Sequence, residues 1–124
     1  MSKRILVVED NPHNMRLIEQ LLEDMNQQIE LVKAECSKAA IEAARTMEFC
    51  LVLMDISLPD MDGISITKIL KEFPHMADTP FIVVTAHVME NDEINFREIF
   101  DDYIPKPIDD DIFEAKINKW IGEC

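Results

Sequence analysis

Short apolar runs alternate along the chain with stretches in which apolar residues recur every three or four positions. Runs of the first kind are typical of buried β-strands, and stretches of the second kind are typical of amphipathic helices. The pattern predicts five strands and five helices in strict alternation, with no repeat and no linker. The predicted strands are 5–8, 29–34, 50–54, 80–84 and 102–104, and the predicted helices start near residues 11, 37, 63, 89 and 109.

Polar residues and prolines mark the predicted helix ends. Asn11 is predicted to cap the first helix, with Pro12 in the first helical position. Ser37 is predicted to cap the second helix and Asp109 the last one. Pro74 is predicted to stop the third helix, because proline lacks the backbone N–H that a helix interior needs. The fourth helix, from about residue 89 to residue 100, has no clear start signal.

Strict alternation of strands and helices is typical of an α/β fold, in which helices cover both faces of a parallel sheet. In open sheets of this kind, ligands bind beyond the carboxyl ends of the strands. The polar side chains that directly follow the predicted strands are therefore expected to converge on one edge. They are Glu9, Asp10, Asp55, Thr85 and Lys106.

Three of these five side chains are carboxylates. Because their negative charges repel at close range, the pKa of at least one of the three is expected to be raised. The single ammonium of Lys106 does not offset three negative charges, so a hard divalent cation such as Mg²⁺ is expected. The chain has no set of His and Cys residues of the kind that binds zinc. A carboxylate beside Mg²⁺, a hydroxyl and a lysine is suited to attack a phosphoryl group and to hold its oxygens.

Composition and charge narrow the classes of function. Apolar residues make up 48% of the 124 positions and charged residues 30%, which predicts one globular domain over 1–124 with no output domain. The net charge of −13 argues against binding to nucleic acid or to an anionic membrane. No apolar run approaches the roughly 18–20 residues that span a bilayer. The N-terminal apolar run is too short for a signal peptide, so a cytoplasmic location is expected.

Four segments in order carry a family resemblance. The chain resembles the receiver domain of bacterial two-component response regulators, in the single-domain style of CheY and DivK. The resemblance implies an α/β, doubly wound (βα)5 flavodoxin-like three-layer sandwich, with a five-stranded parallel sheet of order 2-1-3-4-5. The segments are LVVEDNPHN at 6–14, LMDISLPDMDG at 53–63, VVTA at 83–86 and DYIPKP at 102–107.

The resemblance implies a phospho-accepting signalling switch and not an enzyme. Asp55 would accept a phosphoryl group from a histidine kinase or a histidine phosphotransfer protein, in a Mg²⁺-dependent reaction. Asp10 and Asp55 would bind the Mg²⁺, for which Mn²⁺ could substitute. Glu9 would bind it directly or through water, and the backbone carbonyl of Ser57 would complete the protein ligands.

The resemblance also assigns roles to residues after the fourth and fifth strands. Lys106 would pair with Asp55 and then with the phosphoryl oxygens, and Thr85 would bring its hydroxyl onto the phosphoryl group. Tyr103 would follow inward as the aromatic switch. The peptide bond before Pro107 would be cis, a conformation essentially confined to bonds that precede proline.

The expected output is a phosphorylation-dependent contact with another protein. The resemblance places the downstream target on the face formed by the fourth helix, the fifth strand and the fifth helix. The expected state is a monomer, and dimerisation on phosphorylation is left open. Ser57 and His87 lie two residues after Asp55 and Thr85, where the family tunes how long the phosphoryl group survives.

Three alternatives stand beside this interpretation. Ile99 stands where the family usually has glycine, which keeps open a degenerate receiver that acts only as a binding module. A phosphatase that uses an aspartyl-phosphate would need a D-x-D motif, but Asp55 is followed by Ile56 and Ser57. A flavodoxin-like cofactor binder would need a Gly-rich phosphate loop, and the chain has only two glycines, neither of them in such a loop.

Overall fold

The computed structural model describes residues 3–25, 28–55, 63–85 and 100–121, in which strands and helices alternate as predicted. The strands are β1 (Lys3–Val8), β2 (Ile29–Ala34), β3 (Leu51–Asp55), β4 (Phe81–Thr85) and β5 (Asp102–Pro105). The helices are α1 (Pro12–Asp24), α2 (Ser37–Thr46), α3 (Gly63–Lys71) and α4 (Asp110–Ile121), with a 3₁₀ turn at Pro74–Met76. Helix α4 is the predicted fifth helix. The predicted fourth helix lies outside the described residues, except for Phe100.

The five strands form one parallel sheet in the order β2-β1-β3-β4-β5, which confirms the predicted topology. Strand β1 lies between β2 and β3, with Val8 beside both Ala34 and Met54. On the other side of β3, Asp55 pairs with Val84 of β4. Because all the strands are parallel, their carboxyl ends meet at one edge of the sheet.

Helices pack on both faces of the sheet, which gives the expected three layers. Each strand contributes alternate residues to the two faces, as the period of two in a strand requires. On one face the core contains Val52 and Met54 of β3 with side chains of α2 and α3. On the other face it contains Leu51 and Leu53 with side chains of α1 and α4. Strand β3 is therefore buried on both sides along its whole length.

The helix ends follow the predicted caps, with one exception. The Asn11 side chain accepts hydrogen bonds from the backbone N–H groups of His13 and Asn14, at 2.8 and 3.2 Å. Asp109 caps α4 in the same way. The prediction that Ser37 caps the second helix is wrong, because the extended backbone ends at Cys36 and Ser37 is already the first helical residue.

Two further features bear on the predictions. Phe100 is 4% exposed and packs in the core on the α2–α3 face. Among the described residues, no helix is long and apolar enough to cross a lipid bilayer.

Candidate functional site

The candidate site lies at the carboxyl edge of the sheet, around the ends of β1 and β3. Glu9 and Asp10 directly follow β1, and the Glu9 backbone N–H donates to the carbonyl of Ala34 at 3.0 Å, so β1–β2 pairing extends to Glu9. Asp55 is the last residue of β3. Because β1 and β3 are neighbours in register, the acids at their ends are brought side by side.

Glu9, Asp10 and Asp55 form one cluster of carboxylates. Each offers an oxygen, and these oxygens all lie within 4.8 Å of one another. Glu9 is 2% exposed and Asp55 is 4% exposed, whereas Asp10 faces solvent. The fully buried strand β3 holds Asp55 in place beside the exposed Asp10.

Lys106 supplies positive charge to this cluster from the loop after β5. Its Nζ lies 3.5 Å from Oε2 of Glu9 and 3.5 Å from Oδ2 of Asp55. The peptide bond between Lys106 and Pro107 is cis. The side chain of Lys106 is 20% exposed, so the ammonium lies at the boundary between the buried carboxylates and solvent.

The carboxyl group of Glu9 lies in an environment that disfavours its negative charge. Burial, a hydrogen bond to Asp55 and the negative charge of Asp55 raise the pKa of Glu9 from 4.5 to about 7. A hydrogen bond from the Asn11 backbone N–H to Oε1 at 3.1 Å and the charge of Lys106 act in the opposite direction but do not outweigh these effects. The single ammonium of Lys106 therefore does not offset the negative charge of the buried carboxylates.

The cluster fits a hard divalent cation. Among the described residues, Oε2 of Glu9 is a buried polar atom without a hydrogen-bond partner, which is a costly arrangement for a carboxylate oxygen. A cation held between Glu9, Asp10 and Asp55 would satisfy that oxygen and reduce the repulsion. Mg²⁺ prefers oxygen ligands and is commonly held by one or two carboxylates together with water.

The other residues predicted for the site lie on β4, on β5 or outside the described residues. Thr85 is the last residue of β4, where its backbone is in register with Pro105, next to Lys106. Tyr103 lies in β5 and is 43% exposed. Ser57 and His87 lie outside the described residues, as does Ile99.

Sequence reasoning missed one polar cluster beside Tyr103. Asp102, in the same strand, accepts hydrogen bonds from Nζ of Lys116 at 2.5 Å and from Nε1 of Trp120 at 2.9 Å. Burial alone would raise the pKa of Asp102, but the hydrogen bonds from Lys116 and Trp120 outweigh it and lower this pKa below 3.8. The available signal was the spacing of Lys116 and Trp120, four residues apart on one helix face.

Comparison with known proteins places this geometry in a family. The family model of the response regulator receiver domain matches residues 5–118. Over 112 residues the chain is 41% identical to the signal transduction histidine-protein kinase BarA of Escherichia coli K12, which covers 90% of this chain and 12% of BarA. The chain thus spans about an eighth of that relative. It is 36% identical to the polar-differentiation response regulator DivK of Brucella ovis, over the full length of both.

Solved structures agree in fold. The receiver domain of sensor histidine kinase PA1611 from Pseudomonas aeruginosa PAO1 superposes with a TM-score of 0.87 at 28% identity, covering 98% of this chain and 99% of that one. That structure has a magnesium ion coordinated in its active site cleft. A CheY-like receiver domain protein from Methanospirillum hungatei JF-1 has a TM-score of 0.85 at 26% identity, covering 99% and 96%.

Proposed function

Because the chain belongs to the response regulator receiver family of two-component systems, we propose that it is a switch that accepts a phosphoryl group on Asp55. The donor would be a histidine kinase or a histidine phosphotransfer protein. One observation carries the proposal. Asp55 lies at the end of a buried strand, beside two further carboxylates and 3.5 Å from the Lys106 ammonium.

The proposed reaction is a transfer between a histidine and Asp55. A carboxylate oxygen of Asp55 forms a bond to phosphorus, the phosphorus–nitrogen bond of the phosphohistidine breaks, and the leaving imidazole takes up a proton. Strand β3 positions the nucleophile, which reduces the entropic cost of reaching the reactive geometry. The product is an acyl phosphate on Asp55.

The residues around Asp55 would hold the cation and the phosphoryl oxygens. Glu9, Asp10, Asp55 and the carbonyl of Ser57 would bind Mg²⁺ or Mn²⁺, which supplies positive charge against the phosphoryl oxygens when bound. Lys106, already paired with Asp55, would contact the same oxygens. The fit of the acidic cluster to a cation and the magnesium ion in the PA1611 receiver structure support this assignment.

The switch would follow from the new charge on Asp55. Phosphorylation adds about −1.5 to −2 charge at pH 7. That charge would draw the Thr85 hydroxyl and Lys106 onto the phosphoryl group, and Tyr103 would move inward. The phosphoryl group thereby shifts an equilibrium between two conformations that already exist. Ser57 and His87 would tune how long the phosphoryl group survives.

The output would be a protein–protein contact. We propose that the downstream target binds at β5 and α4 together with the predicted fourth helix. The net charge of −13 argues against nucleic acid and membranes as partners. The chain would act as a single receiver module, in line with its full-length match to DivK. We propose that the chain works as a monomer in the cytoplasm, and that its own catalysis is limited to moving the phosphoryl group from its donor onto Asp55 and to autodephosphorylation.

The proposal is tested by intact-mass spectrometry after incubation with acetyl phosphate, with and without Mg²⁺. We expect one added phosphoryl group in the presence of Mg²⁺, labile in base. Asp55→Asn should abolish the addition, and Asp78→Asn, a change at an exposed acid outside the cluster, should leave it unchanged. A wild-type protein that stays unmodified while a control receiver is labelled would contradict the proposal and favour a degenerate receiver that only binds.

A further inference from the structure

The exposed ring of Tyr103 lies beside a polar cluster on β5 and α4. We propose that Lys116, fixed by Asp102 and supported by Trp120, retains Tyr103 in its exposed position and so weights the switch toward its unphosphorylated conformation. Lys116 is thus a positioning residue that acts through Tyr103. The inference rests on the proposed function and extends it to residues outside the phosphorylation site.

The contact itself is a cation–π interaction. Nζ of Lys116 lies 4.9 Å from the centroid of the Tyr103 ring, within the roughly 6 Å over which such contacts are attractive. Tyr103 is 43% exposed, so the ring is on the surface in this conformation. A ring that moves inward toward the phosphorylation site would have to leave the ammonium behind.

One carboxylate connects the strand to the helix at this point. Oδ1 of Asp102 accepts a hydrogen bond from the backbone N–H of Tyr103 at 2.8 Å and another from Nζ of Lys116 at 2.5 Å. Oδ2 of Asp102 accepts from Nε1 of Trp120 at 2.9 Å. The ammonium over the ring is therefore bound to the residue that precedes Tyr103 and contacts its backbone.

The support of this cluster is rigid. Helix α4 is anchored on the sheet by Phe113, Ile117 and Ile121, all at most 1% exposed. Ile104, the residue after Tyr103, is fully buried as well. The side chain of Lys116 is 28% exposed and that of Asp102 is 11% exposed, so their ion pair is partly shielded from solvent. Tyr103 is the most exposed of these groups.

A contact made in only one of two conformations shifts the equilibrium by its own free energy. A cation–π contact at a partly exposed site corresponds to about a two- to five-fold shift in an equilibrium constant. Loss of the Lys116 ammonium should therefore increase the population with an inward Tyr103 ring by about that factor. Since phosphorylation selects that population, the rate of phosphorylation should rise with it.

The chain offers a direct probe, because Tyr103 is its only tyrosine. Incorporation of 3-fluorotyrosine gives a single ¹⁹F resonance, which reports the surroundings of the ring. The ¹⁹F chemical shift of the outward ring is measured on the untreated wild type. The ¹⁹F chemical shift of the inward ring is measured on wild type with Mg²⁺ and beryllofluoride, which mimics an acyl phosphate.

The test variant is Lys116→Met, which keeps an unbranched side chain but removes the charge. The matched control is Lys119→Met, because Nζ of Lys119 lies over the Trp120 ring, 5.1 Å from its centroid, on the same helix. We expect Lys116→Met to move the untreated resonance toward the inward position and to raise the initial rate of Mg²⁺-dependent labelling by acetyl phosphate about two- to five-fold. Lys119→Met should change neither. Asp102→Asn should reproduce the Lys116→Met result.

Two outcomes would contradict the inference in distinguishable ways. If wild type is labelled on Asp55 but Lys116→Met matches Lys119→Met in resonance and rate, the proposed function stands and the role of Lys116 is wrong. If wild type takes no phosphoryl group, the proposed function fails and the inference fails with it. Far-ultraviolet circular dichroism of each variant verifies that the fold is retained.

Discussion

Nζ of Lys106 lies 3.5 Å from Oδ2 of Asp55 and equally far from Oε2 of Glu9. The ammonium is thus shared between two buried carboxylates, a third carboxylate stands beside them, and the pKa of Glu9 is still raised to about 7. This arrangement has a surplus of negative charge before any phosphoryl group arrives. The surplus has consequences for stability that can be measured in the protein without metal.

Lys106→Met should destabilise the protein at pH 8, above the raised pKa of Glu9. Removing one partner from a buried ion pair leaves uncompensated charge, and a loss of about 1–3 kcal/mol in the free energy of unfolding is expected for this partly exposed lysine. Urea denaturation measures the change. In the Asp55→Asn background the same substitution should cost less, since one of the two carboxylates is already neutral. Equal costs in both backgrounds would show that Lys106 and Asp55 are not coupled.

Glu9 should make the metal-free protein less stable as the pH rises from about 4.5 to about 7. The folded state holds the Glu9 proton through this window while the unfolded state has lost it, so ∂ΔG/∂pH of unfolding is negative there. The contribution is fully present below pH 4.5 and is lost as the pH rises through about 7. Urea denaturation at several pH values measures the slope.

Glu9→Gln provides the control for this slope, because the amide has a similar size and does not titrate. The variant should lose the part of the pH dependence that lies between about 4.5 and 7. If wild type and Glu9→Gln show the same dependence in this window, the pKa of Glu9 is not raised in the folded protein.

Mg²⁺ should compete with the Glu9 proton. A cation that binds only the folded state raises the free energy of unfolding by RT ln(1 + [Mg²⁺]/Kd). Since ligands must be deprotonated, we expect a larger rise in melting temperature at pH 8 than at pH 6, on either side of the Glu9 pKa of about 7. Asp10→Asn should weaken the effect at both pH values, and Asp78→Asn should leave it intact. A rise that is independent of pH would contradict a role for Glu9 in binding the cation.

Asp102 should act on stability in the opposite direction to Glu9. Its pKa is lowered in the folded state, so its contribution is present above the unfolded value of 3.8 and is lost as the pH falls through the folded value. Asp102→Asn should cost about 1.5–3 kcal/mol at pH 7, the range for hydrogen bonds to a charged group. The difference from wild type should shrink below pH 4. A constant difference down to pH 2 would show that the carboxylate charge is not what stabilises the cluster.

Much of the candidate site could be predicted from the order of elements. Glu9, Asp55 and Thr85 stand where strands end, and in a parallel sheet the ends of neighbouring strands meet. The sequence therefore predicts that Glu9 and Asp55 approach each other, although they are far apart along the chain. Caps depend on finer detail, and the strand-to-helix turn before α2 ends one residue earlier than the Ser37 signal indicated, at Cys36.

Asp102 shows where sequence reasoning reaches its limit. In the sequence it is an acid at the start of a short strand, and Lys116 and Trp120 are ordinary residues of an amphipathic helix. Their meeting depends on how α4 lies against β5, which is set by the packing of Phe113, Ile117 and Ile121 on the sheet. No local pattern encodes that angle, so the contact over the Tyr103 ring could not be predicted.

The sequence by itself determined the alternation of strands and helices, the two-sided burial of β3 and the kinds of side chain that gather at one edge of the sheet. These properties follow from periodicity and chain order, which are local or topological. Only the tertiary structure decided that Lys106 is shared by Glu9 and Asp55, that Glu9 holds its proton to about pH 7, and that Lys116 stands over Tyr103. Those properties depend on distances of a few ångströms and on burial, which arise only when distant segments pack together.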